Sequence, residues 1–337
     1  MFDRQYFEKA QIVKEKIVFE SNKKEKKDSL HICFNIDVNF FRPTGVTITS
    51  ILEQNPSMEF AFHIFTDEIS EKDLVAVQKT AEKYCCDIYI YIMDLAPFAH
   101  FHIKTARFKR VSYFRLYMAK VLKHVTRYFL YLDADVICVG DMEDFRKIDL
   151  KGHAIGAVTD LSGAVKIRAE YLKLTSGAYF NSGVLWIDAQ LWDKQDITER
   201  CFAWQGVDPQ RFTCHDQDVL NLTMDGDVQF LPKKFNFLGQ MDVIPPSDCV
   251  IYHFFGREKP WNVVLTKYDR LWRKYNEISF WDTITTELLI KEPQYYHNYK
   301  FAGKYYKKHG QCWKALQCYF WYTVLKIRKT YGSKISW

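Results

Sequence analysis

The order of periodicities along this chain limits its fold more than any other feature. LHICFNID (30–37) is an apolar, strand-like run, and after a polar and glycyl turn the sequence becomes helical around residues 46–54. EFAFHIFTD (59–67) reads as a second strand. Ser70 and Asp73, in capping-box spacing, then open a helix whose Leu74, Val77, Ala81 and Tyr84 share one face. A third strand, DIYIYIMD (87–94), follows at once, and VSYFRLYMAKVL (111–122) reads as a helix leading into the strand RYFLYLDADVICVGD (127–141). HAIGAVTD, FNSGVLWID, VQFLP and CVIYHFF add strands, with a helix from about residue 216 to 224. Strand and helix alternating in this way specify an α/β fold with a mostly parallel, doubly wound sheet and flanking helices.

The alternation fades after Lys274, so a boundary is expected near residue 275, with an amphipathic arm and the charged link KKEKKD in residues 1–29. A chain of 337 residues has room for about two domains. Charge separates the parts. Residues 293–337 hold nine Lys and Arg, no Asp or Glu, and 13 aromatic side chains, whereas the first 292 residues carry 38 basic and 41 acidic ones. A basic, aromatic end suits an anionic membrane surface, a nucleic acid or a phosphorylated partner. Trp313, Leu316, Phe320, Val324 and Ile327 fall close to helical spacing, with Lys326, Arg328 and Lys329 at the end. They describe either a helix packed on the body with a solvated basic face, or an interfacial helix with its aromatics at headgroup level. No nucleic-acid recognition motif accompanies the charge.

No transmembrane helix is expected, because the longest stretch free of charged side chains is the 14 residues 174–187, against about 18–20 for a span. Charges in the first 16 residues occupy the place of a signal peptide's apolar core. Nine scattered cysteines without a C-x-x-C pair argue against a disulfide framework or a zinc ribbon and for a reducing compartment.

Ligands of parallel sheets collect beyond the C-terminal strand ends, and the run YFLYLDADV ends in Asp133 and Asp135. In extended backbone, residues two apart point the same way, so both carboxylates can meet one hard cation, Mg²⁺ or Mn²⁺, bridging a diphosphate. Alone, the pair is compatible with two solvated turn acids. His253 closes CVIYHFF ahead of the GREKPW turn, as a third ligand or as a packed, capping imidazole. In CHDQDVLN, Asp216, Gln217 and Asp218 open a helix, where acids also serve as dipole partners.

In this order and at these separations, LYLDADV, YFNSGVLWID, HDQDVLN, FNF and HFFGREKPW resemble family 8 of the nucleotide-sugar glycosyltransferases, the group that includes bacterial lipopolysaccharide galactosyl- and glucosyltransferases. The arm YFEKAQIVKEKIVFE and the basic aromatic tail resemble the lipopolysaccharide branch. The resemblance implies a GT-A fold over residues 30–275, a UDP-sugar donor bound with Mn²⁺ or Mg²⁺, and retention of anomeric configuration. Asp37 and Asn39 match the positions that hold uridine and ribose, with Asn35 where relatives usually carry a small residue. Arg115 matches the arginine on the donor sugar or diphosphate. Asp133, Asp135 and His253 match the metal ligands, and Gly256 and Lys259 the diphosphate cradle. Asp160, Asn181 and Asp216 with Gln217 match the donor-hexose pocket, with catalytic roles implied for Asp160, Asp216 and Gln217.

A departing UDP gathers negative charge on its β-phosphate, which a divalent metal and Lys259 can stabilise in place of a general acid. Retaining hydrolases use a carboxylate nucleophile, yet the amide of Gln217 stands nearest the reacting face in relatives. Same-face attack, with the leaving diphosphate oxygen taking the acceptor proton and no covalent intermediate, is therefore expected. The expected reaction moves galactose or glucose from UDP-galactose or UDP-glucose to a hexose of the lipopolysaccharide outer core. Its expected place is peripheral, on the anionic cytoplasmic face of the bacterial inner membrane, with residues 276–337 as the adaptor and no nucleic acid as partner. Two other readings compete: a glycosyltransferase acting on another glycan or on protein, and a catalytically silent UDP-sugar-binding scaffold. The intact set Asp133, Asp135 and His253 argues against silence.

Overall fold

The computed structural model describes residues 2–21, 28–103, 109–208, 211–239, 243–286 and 296–331. The chain divides into two compact units: residues 1–238, 244–253 and 279–281 form the larger, and 239–243, 254–278 and 282–337 the smaller.

Eleven strands lie in the described part of the larger unit: β1 (Val13–Phe19), β2 (Leu30–Asn35), β3 (Phe60–Thr66), β4 (Asp87–Met93), β5 (Tyr128–Leu132), β6 (Val136–Cys138), β7 (Ile155–Thr159), β8 (Phe180–Asp188), β9 (Gln229–Phe230), β10 (Phe237–Leu238) and β11 (Ile251–His253). Eight build one sheet in the order β1, β4, β3, β2, β5, β8, β7, β9, and β10, β11 and β6 build a second. Within the large sheet only β1 and β8 run against the other six strands. The mostly parallel α/β architecture follows from the alternation: a parallel partner must be reached by a crossover, and the helices of the crossovers cover both faces.

Both faces are accordingly apolar, which is why β3 and β8 are buried at every residue. Cys33, Phe65, Tyr91, Phe129 and Leu185 pack on one side with Phe98, Phe114 and Trp192. Ile32, Phe34, Phe62, Ile64 and Leu130 pack on the other with Ile48, Ile51 and Val77. Each fully buried side chain of this size contributes roughly 1.5–3 kcal/mol. The expected capping signal forms: the helix Glu71–Tyr84 opens with the Ser70 side chain accepting the Asp73 N–H.

Four elements depart from expectation. The run RYFLYLDADVICVGD is two strands in different sheets, because the chain turns at 133–135. VSYFRLYMAKVL is a 3₁₀ segment (Arg110–Leu116) followed by a short helix (Met118–Leu122). Val111, Tyr113, Phe114, Arg115 and Leu116 are all buried, so packing on every side replaces the single face an α-helix would offer. The helix expected from residue 46 begins at Phe41. The arm contains a short helix (Arg4–Lys9) and β1, which pairs antiparallel with β4. Its Lys14, Glu15 and Lys16 are exposed, so a charged strand closes an edge that would otherwise expose open ladder groups. Residues 22–27 of the charged link lie outside the described residues.

In the smaller unit, helices Lys267–Ile278, Tyr296–Lys308 and Cys312–Tyr331 account for most of the described residues. The last two are joined through Gly310, at φ +71°, and pack through Tyr299, Ala302, Cys318 and Leu325. On the last helix Trp313, Leu316, Phe320 and Ile327 remain exposed at 72, 60, 61 and 51%. No described helix is long and apolar enough to cross a membrane.

Candidate active site

The C-terminal edge of the large sheet gathers the polar residues. At its centre lies Arg115, buried at the end of the 3₁₀ segment. Its Nη2 donates to Asp133 Oδ1 (2.9 Å), its Nη1 to the Ser182 carbonyl and hydroxyl (2.9 and 3.0 Å), and its Nε faces Asp216 Oδ2 at 3.0 Å. The Tyr131 ring lies under the guanidinium, and the Tyr131 hydroxyl donates to Asp133 Oδ1 at 2.6 Å. Burial disfavours the charged guanidinium, but Asp216, Tyr131 and Asp133 outweigh it and the pKa rises. Burial also pushes Asp216 up to about 6, against the pull of Arg115, with Asp133 adding to the rise. Buried Asp216 and half-buried Asp133 thus share one fixed cation.

Strand β8 supplies the backbone of this edge. Ala157 of β7 faces Leu185, but the next residue, Val158, faces Asn181, so β8 bulges across Ser182, Gly183 and Val184. Bulges re-aim backbone groups. The Ser182 N–H donates to Gln217 Oε1 (3.0 Å), and Gln217 Nε2 donates to Asp160 Oδ2 (2.9 Å). Gln217 and Asp216 open the helix Asp216–Thr223 directly after His215, whose φ of +50° lies where glycine is favoured. Such backbone outliers cost about 1–3 kcal/mol and cluster at functional sites. Asp218 faces inward, enclosed by Arg168, the Tyr179 hydroxyl (2.7 Å) and the Cys214 N–H (2.7 Å), and is fully buried.

Asp133, Asp135 and His253 each offer one ligand atom within 4.8 Å of the others. They converge through a turn, not through the strand alternation expected from the sequence. The chain leaves β5 at Asp133, turns, and enters β6 at Val136, which pairs with His253 of β11. Helix Phe41–Gln54 holds the turn: Thr47 Oγ1 donates to the Val136 carbonyl (2.7 Å), and Ser50 Oγ accepts the Cys138 N–H (2.9 Å). Two carboxylates and one imidazole suit a divalent cation of intermediate hardness. The space beside them is kept clear by Gly183, where a Cβ would lie 2.4 Å from His253 Cε1 and 2.8 Å from Asp133 Oδ2. The residues present fit such an ion.

Asn181 lies beside this cluster, its Oδ1 accepting from Asn236 Nδ2 (2.8 Å). Asp37 accepts from the Asn39 N–H and side chain (2.8 and 2.9 Å) and faces Lys109 at 3.3 Å. Asn35 Nδ2 donates to the Val111 carbonyl (3.0 Å). In the smaller unit, Gly256 adopts φ +96°, and buried Lys259 donates to the Phe254 carbonyl. The residues not foreseen are Ser182, Gly183, Asn236, Tyr131, Thr47 and Lys109. FNSG and FNF contain three of them, yet nothing in their spacing distinguishes a bulge or an amide relay.

A mostly parallel sheet interrupted by one antiparallel strand, with an Asp-x-Asp turn facing a histidine at its C-terminal edge, defines a GT-A glycosyltransferase. Residues 31–264 match the family model described as glycosyl transferase family 8, and the chain belongs to that family. It is 31% identical, over 77% of its length and 80% of the relative's, to lipopolysaccharide 1,3-galactosyltransferase of Salmonella typhimurium. It is 27% identical, over 82% of its length and 87% of the relative's, to a lipopolysaccharide 1,2-glucosyltransferase of Escherichia coli. These place it in the lipopolysaccharide branch. A solved galactosyltransferase, LgtC in complex with donor and acceptor sugar analogues, has the same fold: TM-score 0.67 at 24% identity, covering 74% of this chain and 96% of that one.

Proposed function

We propose that this protein is a retaining, divalent-metal-dependent hexosyltransferase that moves galactose or glucose from a UDP-sugar to a hexose of the lipopolysaccharide outer core. The observation that carries the reading is the single polar network in which Arg115 bonds both Asp133, of the Asp-Asp-His cluster, and Asp216. A cation pocket and a reacting-face carboxylate held by one rigid fork suit a reaction in which a phosphate leaves as a hydroxyl arrives.

Asp133, Asp135 and His253 would hold Mn²⁺ or Mg²⁺, which supplies charge stabilisation to the departing diphosphate. Lys259, on the turn after Gly256, supplies a second positive charge to the diphosphate. Asp37 and Asn39 take the nucleoside, and Asp160, Asn181 and Gln217 the transferred hexose. Gln217 is oriented at both ends of its amide, by the Ser182 N–H and by Asp160. Its carbonyl oxygen is therefore preorganised before substrate arrives. Asp218 is closed off by Arg168, Tyr179 and Cys214, which leaves Asp216 as the carboxylate of this helix able to face a sugar. With that carboxylate tied to Arg115, same-face attack fits better than a covalent adduct, the acceptor proton going to the leaving diphosphate oxygen. A glycosyl adduct trapped on Asp216 by mass spectrometry would overturn this step.

The exposed stripe Trp313, Leu316, Phe320 and Ile327 favours the interfacial reading of the tail over the packed one, since these side chains face away from the helix partner. The protein would then work peripherally at the cytoplasmic face of the inner membrane. The test of the whole reading is a release assay with purified protein, Mn²⁺ and a panel of UDP-, GDP- and ADP-sugars, with and without truncated lipopolysaccharide. UDP release from UDP-galactose or UDP-glucose that rises with the acceptor is expected. Binding without turnover across the panel would favour a silent scaffold instead.

A further inference from the structure

The Asp-Asp-His cluster has a second tier behind it, and its hydrogen bonds have a direction. The Gly183 backbone N–H lies 3.0 Å from the Asn181 side-chain atom assigned as Oδ1. A backbone N–H can only donate, so that atom must be the oxygen. The same oxygen meets Asn236 at 2.8 Å, and two acceptors do not bond, so the Asn236 atom facing it must be Nδ2. Asn236 therefore turns its Oδ1 towards His253 Nδ1, 3.0 Å away. That oxygen accepts, so Nδ1 carries a proton, and in the neutral ring the Nε2 lone pair is directed towards Asp135, whose Oδ1 is 3.3 Å away. Asn181, Asn236 and His253 are all buried, which keeps water from supplying a competing donor or acceptor.

We propose that Asn236 is a positioning residue that holds His253 in the Nδ1–H tautomer with Nε2 free for a divalent cation, its own orientation dictated through Asn181 by the Gly183 N–H. The inference rests on the metal-dependent reading above and adds a residue to it. Without the relay a neutral imidazole samples both tautomers and rotates more freely, and the fraction able to bind a cation falls. Groups behind metal-bound histidines typically matter by about 10–100-fold in metal affinity.

Two measurements on the full chain test it. In metal-free protein with ¹⁵N-labelled histidine at alkaline pH, the long-range ¹H–¹⁵N pattern of His253 should report a proton on Nδ1. Replacement Asn236→Leu should abolish that pattern and weaken Mn²⁺ binding, measured by calorimetry, about 10–100-fold. Asn236→Asp, which keeps an acceptor for His253 but loses the donor to Asn181, should retain the Nδ1 proton and lose less affinity than Asn236→Leu. A proton on Nε2 in the wild-type protein overturns the proposal without need of any variant, and so does wild-type Mn²⁺ affinity in a folded Asn236→Leu protein. If the wild-type protein binds no divalent cation but shows the Asn236-dependent tautomer, the metal reading fails and the relay stands.

Discussion

Arg115 in the larger unit and Trp313 in the smaller one are both in costly environments, for opposite reasons. A guanidinium and the Asp216 carboxylate are withdrawn from water at the sheet edge, with the half-buried Asp133 beside them, and every one is paired. On the last helix of the smaller unit, large apolar side chains are left in water while the opposite face of the same helix is packed. Burying ions costs several kcal/mol each unless partners are fixed in place, and such fixed partners are what a site needs to meet developing charge without reorganising. Exposing a stripe of Trp, Leu, Phe and Ile forfeits burial energy that only another surface can return. The first region carries its environment within itself, and the second is built for one that it does not contain.

The sharpest way to break the comparison is at the sheet edge. Asp135→Ala should lower turnover by at least about 10²–10³-fold while thermal stability changes little, because this carboxylate sits in a turn beside His253. Near-wild-type turnover at saturating Mn²⁺ would reject the site. Arg115→Met should differ in kind. It leaves buried Asp216 beside an apolar side chain and half-buried Asp133 without its cation, so a loss of about 3–5 kcal/mol in urea unfolding is expected together with the loss of activity. An Arg115→Met protein as stable as wild type would show that the ions are not held as described.

The second region is tested by its missing partner. Trp313→Gln with Phe320→Gln should weaken sedimentation with anionic phospholipid vesicles by about tenfold for each substitution. Turnover on a soluble acceptor should be unchanged. Unaltered vesicle binding in the double variant would return the stripe to an ordinary solvated surface.

How much of this was legible depended on how local each cause is. Asp133 and Asp135 could be found because a strand and its terminal acids are neighbours in sequence, and Ser70 with Asp73 because a cap is made within one turn. The convergence on His253 was legible only through resemblance, since it arises from the pairing of β6 with β11 across more than a hundred residues. The bulge in β8 was not legible at all. FNSGVLWID is apolar enough to be a strand in any register, and nothing local says that Ser182 and Gly183 turn their backbone to Gln217, Arg115 and Asp133. Asn236 acts through two other side chains, so no spacing could mark it. β1 escaped for a related reason: an exposed, charged edge strand lacks the apolar run that betrays a central one.

The sheet also buries polar groups by a third route, neutrality, and this gives the smallest expected effect. His63 of β3 is fully buried, its Nε2 2.9 Å from His31 Nδ1 and its Nδ1 3.1 Å from the Tyr91 hydroxyl. Burial holds its pKa well below the ordinary imidazole value, with His31 and Lys16 adding to the effect, and burial lowers His31 as well. For a histidine depressed in the folded state, stability is intact above the unfolded value of about 6.5 and declines as pH falls below it, because only the unfolded chain takes up the proton. The slope approaches about 1.4 kcal/mol per pH unit for each such group. Urea unfolding should therefore show a falling midpoint between about pH 6.5 and 5.5, and His63→Gln should flatten it. Asp216 acts in the opposite direction, since a raised carboxyl binds protons more tightly in the folded chain, so the difference between wild type and His63→Gln, not either curve alone, isolates the imidazole. An identical pH slope in the two proteins would mean that the His63 pKa is the same folded and unfolded, and a steeper fall in His63→Gln that His63 is charged in the folded state.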